Sequence, residues 1–142
     1  MIGPHYNYGL WCSDNSAEQL KRLVDDIIEN YNIDKDRIYL MGFSQGGRGL
    51  FHVANYMSEY YAACVAMSPF DPSVDPGEIK IPIRAYTEFD NYSARRIAEL
   101  WGKENVIKLY CIHGAVPNTS MTIDKDNNNC ADMLEWLLNQ SK

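Results

Sequence analysis

The sequence has no apolar run approaching the roughly 20 residues needed to cross a bilayer as a helix, and no basic-then-apolar leader follows Met1. Neither a membrane partner nor a signal peptide is expected from these residues, and the compartment is left open. Basic residues are outnumbered, 13 Lys and Arg against 19 Asp and Glu, for a net charge of −6. Without a basic stripe there is nothing to displace counterions from a phosphate backbone, so nucleic acid is not an expected partner. Cysteine is sparse too: Cys12, Cys64, Cys111 and Cys130 show no paired spacing, which excludes a zinc cage and a disulfide-dense scaffold. Cys64 lies in an apolar run and reads as a buried thiol. Internal repeats and low-complexity linkers are missing, and the chain is read as one domain over residues 1–142.

What remains is the composition of a globular domain, 46% hydrophobic and 12% aromatic. Ser16 and Gln19 have capping-box spacing, and Leu20, Leu23, Val24, Ile27, Ile28 and Tyr31 form one apolar face behind them, predicting a helix that opens at Ser16. Residues 37–41 (RIYLM) form a β-prone run ending at Gly42, and a helix follows through Leu50, Val53, Ala54 and Met57. Residues 62–68 (AACVAMS), 81–87 (IPIRAYT) and 106–112 (VIKLYCI) read as further strands. Helices are expected over 93–101, with Ile97, Leu100 and Trp101 inward, and over 132–139, with Leu134, Leu137 and Leu138 on one side. Strands alternating with helices predict an α/β fold with a mostly parallel sheet of about four strands flanked by helices.

Residues 42–47 (GFSQGG) match G-x-S-x-G between a strand and a helix, the context that gives this motif meaning. A sharp turn there lifts the Ser44 hydroxyl above the sheet edge, and glycines let the backbone pass close to its neighbours. Gln45 then opens a helix, where its backbone N–H is placed to stabilise an oxyanion. Serine needs a base, and the base an orienting carboxylate. In this architecture the chain order is serine, acid, histidine. His5 precedes Ser44, and His52 lies on the following helix and reads as packed or partly solvated. His113, after the last strand, is left as the base. The acid is expected after the preceding strand, at Asp90 or else Glu88; Asp71 and Asp75 lie in a turn that Pro and Gly already explain. Trp11, Phe43 and Phe70 are candidates for an acyl or aryl pocket, although core packing is the more ordinary use of each.

Residues 33–47 (IDKDRIYLMGFSQGG), the SPF after the next strand, Asp90, His113 and the terminal EWLLNQ together resemble the α/β-hydrolase superfamily, over nearly the whole chain. Within it the likeness is to the putative-esterase and predicted-peptidase group, related to feruloyl esterases and polyhydroxybutyrate depolymerases. The resemblance implies a serine esterase with Ser44 as nucleophile, Asp90 and His113 completing the triad, no cofactor for catalysis, and a small-molecule or carbohydrate-linked ester as substrate. A peptidase on the same triad and a catalytically impaired binding or assembly module are the alternatives. It also implies further strands before the region matching Met1, ending in a loop that donates a second oxyanion N–H. The chain is thus expected to be the C-terminal part of the fold, N-terminally truncated, with an exposed sheet edge open to self-association.

A separate pattern lies near the C-terminus. With Asp124 as position 1 of a twelve-residue calcium loop, Asp126, Asn128, Asp132 and Glu135 fall at positions 3, 5, 9 and 12, with the Cys130 carbonyl at 7. The stretch resembles EF-hand and dockerin-like loops, and a structural calcium ion is the corresponding expectation.

Overall fold

A computed structural model describes residues 11–69, 78–88, 92–101, 106–109 and 129–142. Asp14–Asn30 is α1, Tyr39–Phe43 β1, Gln45–Tyr56 α2, Ala63–Met67 β2, Ile83–Glu88 β3, Tyr92–Trp101 α3, Val106–Leu109 β4 and Asn129–Leu138 α4. The strands form one sheet in the order β1-β2-β3-β4, every neighbouring pair parallel. This is the α/β architecture expected from the alternating pattern. Among the described residues no helix is long and apolar enough to cross a membrane.

β2 is buried along its whole length, which is why its sequence runs apolar without alternation. Its side chains still divide between two cores, because successive residues point to opposite faces. Cys64 and Ala66 face a cluster holding Ala17 of α1, Leu50, Phe51 and Val53 of α2, and Ile97 of α3. Ala63, Val65 and Met67 face Met133 and Leu137 of α4, with Tyr39, Met41 and Trp136 packed alongside. α3 is joined to α2 by an edge-to-face contact of Phe51 and Trp101, centroids 6.2 Å apart. Cys12 and Cys64 are free thiols, and burial pushes the Cys64 thiol well up from its ordinary pKa, so it stays a neutral core residue.

Several boundaries differ from the sequence expectation, and three have a clear physical reason. α1 begins at Asp14, with Ser13 as its cap instead of Ser16. The Ser16 N–H donates to Ser13 Oγ at 3.3 Å, and the Ser16 hydroxyl donates to the Ser13 carbonyl at 2.7 Å. Two serines three apart satisfy each other, which allows Ser16 to be fully buried. β1 starts at Tyr39 because Lys35–Arg37 is a single 3₁₀ turn capped by Asp34, whose Oδ1 accepts from the Asp36 N–H at 3.0 Å. α4 starts at Asn129 and buries Met133 and Leu137, whereas Leu134 and Leu138 are 41% and 53% exposed. On the flank of α4 away from them, the Arg84 guanidinium of β3 lies over the Trp136 ring, 4.4 Å from its centroid.

The last residues return to the start of the sheet. No basic residue stands in the final turn of α4; Arg37 supplies the positive charge instead, its Nη2 donating to the Leu138 carbonyl at 2.7 Å. The Tyr39 hydroxyl donates to the Gln140 carbonyl at 2.9 Å, and the Lys142 ammonium to the Glu59 carbonyl at 3.0 Å. The helix is thereby tied to β1 and to the turn after α2.

α1 is tied to that same turn by charge. Lys21 Nζ lies 2.7 Å from Asp25 Oδ2, and the Tyr60 hydroxyl donates to Asp25 Oδ1 at 2.6 Å. These two hydrogen bonds, the Lys21 one foremost, hold the Asp25 carboxyl below its ordinary pKa. A depressed folded-state value contributes stability above the unfolded carboxylate pKa of about 3.9, and loses it as pH falls through the folded value. Asp25→Asn is therefore expected to lower the melting midpoint at pH 7, with the difference from the native protein shrinking below about pH 4. The pair is solvent-exposed, so the effect is small and weakens in high salt; melting curves across pH at two salt concentrations check both points.

Candidate active site

β1 runs through Gly42 and Phe43 directly into α2, and Ser44 is the junction. Its φ of 52° and ψ of −113° are glycine territory, and Ser44 and Ser68 are the two non-glycine residues with positive φ among those described. Neighbours on both sides hold the turn. The Ser44 N–H donates to the Met67 carbonyl of β2 at 2.9 Å, and the Ser44 carbonyl accepts the Arg48 N–H at 2.9 Å, starting α2. The Ser44 side chain makes no capping bond.

The glycines explain how strand and helix meet so tightly, and they correct the motif reading. A Cβ at Gly42 would collide with the Gly46 carbonyl oxygen and lie 2.9 Å from the Gly47 nitrogen. One at Gly47 would lie 2.9 Å from the Met67 oxygen and 3.2 Å from the Pro69 Cα. Gly46, the second glycine of G-x-S-x-G, meets nothing within 4 Å. The close-packed pair is Gly42 and Gly47, five residues apart, which the spacing alone did not single out. Gly49, further along α2, admits the Trp11 backbone, whose C and O atoms would lie 2.9 Å from a Cβ there. Trp11 is thus a packing residue against α2.

Gln45 is the first residue of α2, so its N–H belongs to the group that no helical carbonyl satisfies. No acidic residue stands in that first turn, and the positive end of the helix dipole is not neutralised there. An anion developing beside Ser44 would meet both. Phe43, immediately before the serine, is 46% exposed.

His52 sits two turns into α2, half-buried, with its Nε2 3.1 Å from Asp14 Oδ1 and its ring stacked on Tyr56 at 6.5 Å. It lies beside the first turn of α1 with no hydrogen bond from Nε2 among the described residues, a partly buried packing residue in keeping with its place on the helix. Glu88 is the last residue of β3. Asp90 and His113 lie outside the described residues, as do His5, Phe70, Asp71 and Asp75. Of the six calcium-loop positions, Asp124, Asp126 and Asn128 also lie outside, while Cys130, Asp132 and Glu135 fall on α4. Among the described residues no group of three or more His, Cys, Asp or Glu is placed to hold a metal ion.

A parallel sheet with a strained serine between strand and helix, at the carboxyl end of β1, places the molecule among the α/β-hydrolase folds. A family model described as "Putative esterase" matches residues 13–134, and the chain belongs to that family of the α/β-hydrolase superfamily. Among solved structures, one titled a thermostable esterase superposes with a TM-score of 0.71 at 22% sequence identity. The match covers 94% of this chain and 41% of that one, so the chain spans well under half the length of that esterase. No curated protein is a significant match to the sequence.

Proposed function

We propose that this protein is a serine hydrolase of carboxylic esters. The observation that carries the reading is the backbone at Ser44, a non-glycine residue held at φ 52° between β1 and α2 by the close approach of Gly42 and Gly47. Strain of this kind is retained where surrounding structure over-determines it, and a nucleophile lifted clear of the sheet is a use for it. Ser44 Oγ attacks the ester carbonyl, His113 accepts the hydroxyl proton and returns it to the leaving alcohol, and Asp90 orients the imidazole. The tetrahedral oxyanion is held by the Gln45 N–H at the positive end of α2, and the acyl-enzyme is then hydrolysed by water. Family membership and the esterase-like fold support an ester over an amide as the substrate.

A fluorophosphonate probe tests this directly. It is expected to label the native protein, and the label should vanish in Ser44→Ala while the melting curve stays cooperative. Folded native protein that takes no label would instead favour a binding or assembly module that keeps the elbow without the chemistry.

A further inference from the structure

Ser44 is not the only strained serine at the carboxyl edge of the sheet. Ser68, the residue that follows β2, has φ 42°. β1 and β2 are adjacent, with Phe43 opposite Met67, so the next step in register sets Ser44 beside Ser68. Serine has no ordinary reason to adopt this conformation, least of all before Pro69, where the choice of backbone angles is already narrowed.

Two hydrogen bonds fix the peptide that leads into the turn. The Ser68 N–H donates to the Tyr86 carbonyl of β3 at 2.7 Å, anchoring the peptide on one side. The Met67 carbonyl, in the same peptide unit, accepts the Ser44 N–H at 2.9 Å on the other. After the turn Pro69 is fully buried, and its Cα would lie 3.2 Å from a Cβ built on Gly47. The positive φ at Ser68 therefore joins a peptide held between Tyr86 and the nucleophile's amide to a Pro69 laid against the first turn of α2, and a residue that relaxes the angle must shift one or the other.

We propose that Ser68 is a positioning residue for the nucleophile elbow, acting through its left-handed backbone and not through its hydroxyl. The proposal rests on the reading of Ser44 as nucleophile. It requires that position 68 accept residues tolerant of positive φ and reject β-branched ones, whatever their polarity.

The test is a series at this position assayed on full-length protein with an aryl ester and a fluorophosphonate. Ser68→Gly, Ser68→Asn and Ser68→Ala are expected to keep kcat within about threefold of the native value. Ser68→Thr and Ser68→Val are expected to lower kcat and the labelling rate at least tenfold per folded molecule, with KM little changed. Thr retains the hydroxyl and loses function, whereas Gly and Ala lack it and keep function; that crossing is the signature of the backbone role. Equal losses in Ala, Gly and Asn, with Thr active, would assign the role to the hydroxyl and overturn the proposal. A lower melting midpoint with unchanged kcat in Val and Thr would reduce the site to ordinary packing and overturn it too. If the Val variant does not fold, the milder Thr variant decides. Hydrogen exchange at the residue 44 amide separates this proposal from the function it rests on, because it reports the bond to Met67 without catalysis. Faster exchange in Thr and Val in a protein that takes no label would sustain the positioning role and reject the nucleophile. Labelled protein whose exchange is unaltered by Thr and Val would do the reverse.

Discussion

Gly42→Ala is expected to lower stability by about 3 kcal/mol, the upper part of the range for forcing atoms into a packed site, and to abolish ester cleavage. The added methyl group collides with the Gly46 carbonyl oxygen, and its next neighbours are the Gly46 carbonyl carbon at 2.5 Å and the Gly47 nitrogen at 2.9 Å. All three are backbone atoms, so no side chain can rotate away, and either β1 bends or the first turn of α2 lifts. A single domain is stable by only about 5–15 kcal/mol, so a cost of this size consumes much of the margin. In melting temperature it corresponds to roughly 10 °C for a chain of this length. Gly46→Ala is the control, four residues away in the same motif. Its Cβ meets nothing within 4 Å, and alanine is the better helix former by up to about 1 kcal/mol. Thermal melts of the two variants should move in opposite directions. Equal destabilisation by both would show that strand and helix do not meet as described.

Ser44 variants are expected to separate strain from chemistry. Ser44→Ala keeps a Cβ at φ 52° and removes the hydroxyl proposed as nucleophile; kcat should fall by about 10⁶, the scale seen when a triad serine is lost, with little change in stability. Ser44→Gly is equally inactive, yet glycine occupies positive φ without a Cβ clash, and the variant should gain about 1 kcal/mol. Ranking the three proteins by melting midpoint, glycine above alanine and serine, would show that the native elbow stores strain. A glycine variant no more stable than serine would mean that the turn relaxes once its side chain is absent.

The elements that read clearly from sequence are those with one dominant pattern. β2 is apolar at every position and buried on both faces, and α1 carries a stripe at helical spacing. The turn at Ser44 was legible because the glycine motif and the strand and helix patterns on either side agree on it. Where two readings fit equally well, packing chose. Ser13 and Ser16 both suit a helix cap, and the cap went to the one that left the other buried in the box. Gly46 and Gly47 are neighbours of identical chemistry; only the position of Met67 and Pro69 on another strand distinguishes them. α4 begins on the last residue of an Asn-rich run whose local preference is for loops, and the helix is held by Met133 and Leu137 against β2. Ser68 was the least visible of all, since serine before proline predicts extended chain. Of the expected triad, Ser44 is described, and Asp90 and His113 lie outside the described residues.

The bonds from Arg37 and Tyr39 to the end of α4 span about 100 residues, while the strands follow one another across the sheet in chain order. Each strand can therefore dock beside a neighbour already in place, at modest loop-closure cost, and the return of the chain's end to β1 comes last. Contacts made that late are absent from the folding transition state. Loosening them, as in Arg37→Met, should leave the refolding rate alone and quicken unfolding, so only the unfolding arm of a chevron plot should move. The clasp between β1 and the end of α4 then governs how long the folded molecule lasts instead of how quickly it forms.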